Sequence, residues 1–192
     1  SSNTTIGTVI PGPSSTTTFT AIIGPGTTTV TYSLGGSCTS TVLMTINAAP
    51  PAIAGPTTVC VGATIPLSNS IAGGGNWISN NTAAATAVLG PANGTTITGV
   101  AAGTAVISFT TGAGCITTTT ITVLDVPGPI SGLLTVCTGA TITLSNNIAG
   151  GTWTSTNTTV ATVAAGPSPT TTVTGVSQGT TVISYTNGCS QP

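Results

Sequence analysis

Apolar residues along this chain fall on alternate positions, in short runs broken by Gly, Pro and Asn. In the run from 103 to 109, Ala105, Ile107 and Phe109 share one side, and Thr, Val and Ser occupy the other. A two-residue period is that of a strand with one covered face, because successive side chains point to opposite sides of a sheet. The same face returns as Thr181, Ile183 and Tyr185, and as Thr28, Val30 and Tyr32. A later strand covers Ile121 and Val123 in one place and Met44 and Ile46 in another. No stretch carries a 3.6-residue apolar period. The pattern therefore predicts an all-β chain, and one buried face per strand implies two sheets packed as a sandwich. Gly99 and Gly175, each before Val, and Gly103 and Gly179, each before Thr, mark places where one strand turns into the next.

The pattern also repeats. Residues 58 to 123 align with 135 to 189: Trp77 recurs as Trp153, Cys60 as Cys137 and Cys115 as Cys189, a period of about 75 residues. That is long for a solenoid unit and suits a small independent domain. The opening SSNTTIGTV matches STNTTVATV at 155 to 163, so residues 1–48 read as the second half of a module. Residues 49–124 read as a complete module, and 125–192 as one lacking its last strand. The expectation is a window on a tandem array, read out of phase. NAAPPAIAGP (47 to 56) and LDVPGPISG (124 to 132) are taken as short, stiff, Pro-rich linkers.

The run W-x-S-x-N…A-T-V followed by T-G-V-x-x-G-T-x-V-I-S-[FY], at Trp153 to Tyr185 and more loosely at Trp77 to Phe109, resembles the bacterial immunoglobulin-like domain of group two. With the Cys after TV, the Cys before the last strand and GG before Trp, it is similar to Thr-rich tandem modules of long secreted surface proteins of Bacteroidota. The resemblance implies immunoglobulin-like sandwiches in series, used as stalks, spacers, adhesin shafts or filament bodies. This chain departs from the family in its charge.

Lys, Arg and His are absent, and Asp125 is the single acidic residue. Thr supplies about a quarter of the chain, and mean hydropathy is +0.52, which argues against disorder. Without cations there is no counterion release to drive nucleic-acid binding and no polybasic attraction to lipid. No apolar run approaches the roughly 20 residues that span a bilayer. A surface with almost no charge favours association. The expected partners are therefore copies of the chain or further modules, head to tail, together with covalent glycans.

Five Cys at 38, 60, 115, 137 and 189 contain no CxxC and have no His beside them, so disulfides are favoured over a metal site. The preferred pairing lies within each repeat, Cys60 with Cys115 and Cys137 with Cys189, and leaves Cys38 to a partner outside the window. Loops of that size contribute on the order of 4 kcal/mol. Pairing across the linkers, Cys38 with Cys60 and Cys115 with Cys137, is the alternative, and buried free thiols are a third reading. Trp77 and Trp153 are expected in cores rather than in a carbohydrate site.

No residue set supports catalysis: Ser and Thr have no base to activate them, and one carboxylate cannot run acid–base chemistry or build a calcium site. No cofactor is expected. Asn3, Asn80, Asn93 and Asn157 lie in N-x-[ST] sequons, read first as turn residues. The Thr runs at 16–18, 27–29, 117–120 (Thr117, Thr118, Thr119, Thr120) and 170–172 are read first as strand residues, with O-glycans as the sharper reading. The expected function is structural, an extracellular filament or cell-surface fibre. The alternative is an adhesin that contacts sugar or protein through module loops.

Overall fold

A computed structural model describes residues 1–10, 15–35, 37–89, 93–166 and 169–189. Every regular element among them is a strand. The first unit comprises β1 (Gly7–Val9), β2 (Phe19–Ala21), β3 (Gly26–Ser33) and β4 (Thr39–Ile46), paired as β1–β2 and β3–β4. The second comprises β5 (Thr58–Cys60), β6 (Thr64–Ser68), β7 (Gly75–Ser79), β8 (Ala85–Leu89), β9 (Gly94–Gly99), β10 (Gly103–Thr111) and β11 (Ile116–Leu124). The third comprises β12 (Ser131–Gly132), β13 (Thr141–Ser145), β14 (Thr152–Ser155), β15 (Ala161–Val163), β16 (Thr170–Gly175) and β17 (Ile183–Thr186).

In the second unit the sheets run β5-β11-β10-β7 and β6-β9-β8, and Ala54 bridges Ser68 to extend the smaller one. Two facing sheets in this order, A′-G-F-C over A-B-E-D, have the immunoglobulin arrangement. The expected faces hold here. Ala105, Ile107, Phe109, Ile121 and Val123 point inward with Val59, Leu67, Trp77 and Ile97, and form one buried cluster. Thr118 and Thr120 lie exposed on the outer face, whereas Thr117 and Thr119 are half-buried. The Thr-rich strands form because β-branched side chains suit a pleated, half-buried surface. Thr16–Thr18 is the exception, since it precedes β2 without joining a strand.

A second buried cluster, Leu144, Trp153, Ala161 and Val173, sits in the third unit. Both Trp are in cores as expected, 3% and 4% exposed. Each stacks on the strand beside it, Trp77 on Phe109 and Trp153 on Tyr185, with ring centroids 4.8 Å apart. The residue two before each Trp must then be Gly. A Cβ on Gly75 would come 2.7 Å from the Phe109 ring, and one on Gly151 2.4 Å from that of Tyr185.

The linkers are shorter than the composition suggested. Ser131 and Gly132 pair with Ser145 and Leu144, and Ala54 occupies the matching place in the second unit, so part of each Pro-rich stretch is a first strand. Gly55 and Gly132 have φ of +137° and +132°, where a Cβ would strike backbone carbonyls of the neighbouring strand. The covered face expected in the first unit is only partly covered: Thr28 is buried, but Tyr32 is 53% exposed.

Candidate functional site: the junction between modules

Leu124 ends β11, where it pairs in parallel with Cys60 of β5, and its carbonyl accepts from the Val61 amide at 2.9 Å. The turn after β17 reaches this same place. Asn187 Nδ2 donates to the Asp125 carbonyl at 2.8 Å, and Asn187 Oδ1 accepts from the Cys189 amide at 3.0 Å. Cys189 is thereby held over Leu124, and it is bonded to Cys60 with Cα atoms 5.7 Å apart.

This corrects the pairing expected from the repeat. Cys60 joins Cys189 rather than Cys115, and Cys137 joins neither Cys189 nor Cys115; Cys38, Cys115 and Cys137 carry free thiols. The bond does not clamp one pole of a single module but ties the first half of one to the end of the next. The reason is positional. Cys60 and Cys115 belong to opposite ends of the strands flanking β11, while the return of β17 brings its turn to the linker at which β11 finishes.

Asn47 and Ala48, which follow β4, line a cleft of about 360 Å³ with the Ile71–Gly74 turn and the Thr111–Ala113 turn.

The third unit departs from the second at one place. Among the described residues no strand follows β17, so β14 and β17 form a two-stranded sheet where the second unit has four strands. A groove of about 560 Å³ opens there, lined by Val136, Leu144, Val173, Val182 and Ile183, with Leu133 and Leu134 at 69% and 84% exposure. In the second unit Ile121 and Val123 of β11 close the corresponding space. The segment 135–137 is nevertheless in place: Thr138 bridges Gly175 as Val61 bridges Gly99, and the Gly139 amide donates to Gly175 at 2.8 Å as that of Gly62 does to Gly99 at 2.9 Å. Gly99 and Gly175 permit this approach, since a Cβ on either would meet the carbonyl oxygen of Cys60 or Cys137 at 2.5 or 2.6 Å.

No protein-family model and no curated protein matches the chain. The chain is similar to several solved structures. Domains 4 and 5 of the S-layer protein SbsC are 27% identical, covering 60% of this chain and 65% of that one at a TM-score of 0.30. Murine CEACAM1b is 15% identical over 72% of this chain and 93% of its own, TM-score 0.41. The tandem Ig repeats of Dlar are 14% identical over 73% and 92%, TM-score 0.31. The chain spans about two thirds of the SbsC fragment.

The sequon residues Asn3, Asn80, Asn93 and Asn157 are all exposed. Asn3 and Asn157 make the same local turn, each accepting from the amide and hydroxyl of the Thr two residues on. Two polar residues escaped the sequence reading. Asn69 and Asn146 are buried; their Nδ2 groups donate to Pro51 and Gly128 carbonyls at 2.7 and 2.8 Å, and their Oδ1 atoms accept from Ile71 and Ile148. They pin each entering stretch to its own module. Their signal was present, because both close an L-S-N triplet at matching positions of the repeat. Among the described residues no group of three His, Cys, Asp or Glu could hold a metal, and no helix is long and apolar enough to cross a membrane.

Proposed function

We propose that the chain is a non-catalytic structural segment of an extracellular filament or cell-surface fibre, with immunoglobulin-like modules in series and further copies or modules joined head to tail. The observation that carries this reading is the junction. A covalent bond from one module to the next, seated on hydrogen bonds to the linker, suits a chain that bears load along its length. A disulfide fits an oxidising, extracellular setting, as does the resemblance to Thr-rich secreted modules of Bacteroidota. A surface of Thr, Ser and Asn with one carboxylate has almost no charge to keep copies apart. Glycans on Asn3, Asn80, Asn93, Asn157 or the exposed Thr118 and Thr120 would supply a hydrated coat. The adhesin reading has less support: Trp77, Trp153 and Phe109 are buried in cores, and of the six aromatic residues only Tyr32 is more than half exposed.

Electron microscopy and sedimentation of the full chain under oxidising conditions test the proposal. Linear assemblies that persist in concentrated salt are expected. A chain that stays monomeric at every concentration overturns it.

A further inference from the structure

The chain contains two Asn-Gly pairs, Asn93-Gly94 and Asn187-Gly188. Such a pair carries its own reactivity, because a Gly without a Cβ lets its backbone nitrogen approach the carboxamide carbon of the preceding Asn. The two pairs stand in different surroundings. Asn93 is exposed just before β9 in the second module. Asn187 is built into the junction: its Nδ2 donates to the Asp125 carbonyl at 2.8 Å, and its Oδ1 accepts from the Cys189 amide at 3.0 Å. Cys189, two residues on, is bonded to Cys60. The attacking atom is engaged as well, since the Gly188 amide donates to Thr186 Oγ1 at 3.2 Å. The matching turn of the second module has Ala113-Gly114 before Cys115. Its Gly shares the left-handed backbone, with φ of +81° against +93° at Gly188, but no carboxamide precedes it and Cys115 is a free thiol. In these two turns the Asn goes with the bonded cysteine.

We propose that Asn187 is a site of spontaneous deamidation, locked while the Cys60–Cys189 bond holds its turn against the linker and unlocked when that bond is reduced. In the first step the Gly188 nitrogen attacks Cγ of Asn187. The N–Cγ bond forms, the Cγ–Nδ2 bond breaks, and Nδ2 leaves as ammonia with the proton that the Gly188 amide gives up. Water then opens the resulting succinimide at one of its two carbonyls, and the product is aspartate or isoaspartate. Neither step is a redox step. The unlocking is: a dithiol gives two electrons and two protons to the Cys60–Cys189 bond, which becomes two thiols, and leaves as a disulfide. In the closed junction the attack requires the carboxamide to leave both of its partners and Gly188 to turn away from Thr186, so it proceeds only through local opening of the turn. The tether from Cys189 to β5 restrains that opening. Reduction removes the restraint.

The product does not fit the place it came from. A carboxylate at position 187 has no N–H to offer, so it sets oxygen against the Asp125 carbonyl oxygen where a donor stood. Isoaspartate adds a methylene to the backbone two residues before Cys189 and displaces the sulfur from Cys60. A cut that is reversible at the sulfurs becomes permanent at residue 187. The new carboxylate also adds a negative charge to a chain whose formal net charge is −1, on a surface whose near neutrality favours association. The junction therefore ages in one direction once it has been opened. This holds whether or not the chain forms fibres.

The full chain, with Cys60–Cys189 intact or kept reduced by dithiothreitol, is incubated at mildly alkaline pH and mapped by mass spectrometry after elastase digestion, with Asn93 as the reference site. Conversion at Asn187 is expected to rise at least about tenfold on reduction, the factor for freeing a group held by two hydrogen bonds, while conversion at Asn93 stays unchanged. Cys189→Ser without reductant gives the same rise, and adding Gly188→Ala to it removes the rise. Asn187→Asp lowers re-formation of Cys60–Cys189 in a glutathione buffer by at least about tenfold. Hydrogen exchange at Thr172 and Val173 of β16 is followed in the same samples. Equal conversion at Asn187 in both states, or a rise that comes only with lost protection at those two amides, overturns the lock. Absence of conversion at Asn187 in the reduced chain overturns the site, and full recovery of the bond in Asn187→Asp overturns the one-way ageing. Each of these leaves the fibre reading standing, since that reading is decided by assembly of the oxidised chain.

Discussion

Phe109 and Tyr185 stand at equivalent positions, each against a Trp and above a Gly, yet they are held differently. The Phe109 ring is fully buried and held by packing alone. Tyr185 is half-buried, and its hydroxyl donates to the Ile148 carbonyl at 2.6 Å and accepts from the Gly151 amide at 2.8 Å. The polar handle fixes a ring that packing covers only in part. Removing it, Tyr185→Phe, leaves a carbonyl and an amide unpaired and is expected to cost about 1–3 kcal/mol in urea unfolding of the third module. Phe109→Ala empties the centre of the second core and is expected to cost about 3–5 kcal/mol. Gly75→Ala pushes a methyl into the Phe109 ring and the Thr110 carbonyl, for about 1–3 kcal/mol.

Among the elements, β10 and β17 lie in matching stretches, TAVISFT at 104–110 and TTVISYT at 180–186, but β10 spans Gly103–Thr111 and β17 only Ile183–Thr186. The missing part is the part β11 would pair, and Val182 is left 62% exposed. Strand length is thus set by the neighbour rather than by local propensity. Asn69→Ala, which frees the entering stretch at Pro51 from the module beneath, is expected to lower stability by about 1–3 kcal/mol, read by hydrogen exchange at Ile71 and Ala54. These two cases mark what the sequence could and could not show. Alternation fixed the inward set of β10 and β11, because a two-residue period with one covered face has a single reading. Both Trp, expected in cores rather than in a carbohydrate site, are there. Alternation could not locate the disulfide, because the distance between Cys60 and Cys189 depends on how one module folds back onto the linker of the previous one, and no local pattern encodes that. Nor could it separate linker from first strand at Ser131–Gly132, where two residues and a Gly of positive φ read as loop.

For the whole molecule, the absence of Lys, Arg and His removes salt bridges from the account of its stability. The melting temperature is therefore expected to move little between about 0.05 and 1 M salt, as measured by calorimetry; a large salt-dependent loss would show that charge holds the modules together. Load takes a less obvious course. Cys60 and Cys189 are 129 residues apart in sequence, so a pull on the two chain ends passes from one sulfur to the other and bypasses everything between. At about 3.4 Å per extended residue, roughly 440 Å of chain is barred from unravelling until the bond is reduced. Single-molecule stretching should show that length appear only after addition of a thiol. The same shunt makes the molecule tolerant of damage: a backbone cut anywhere inside the bypassed stretch leaves both fragments attached, so a fibre built this way could be nicked repeatedly without parting.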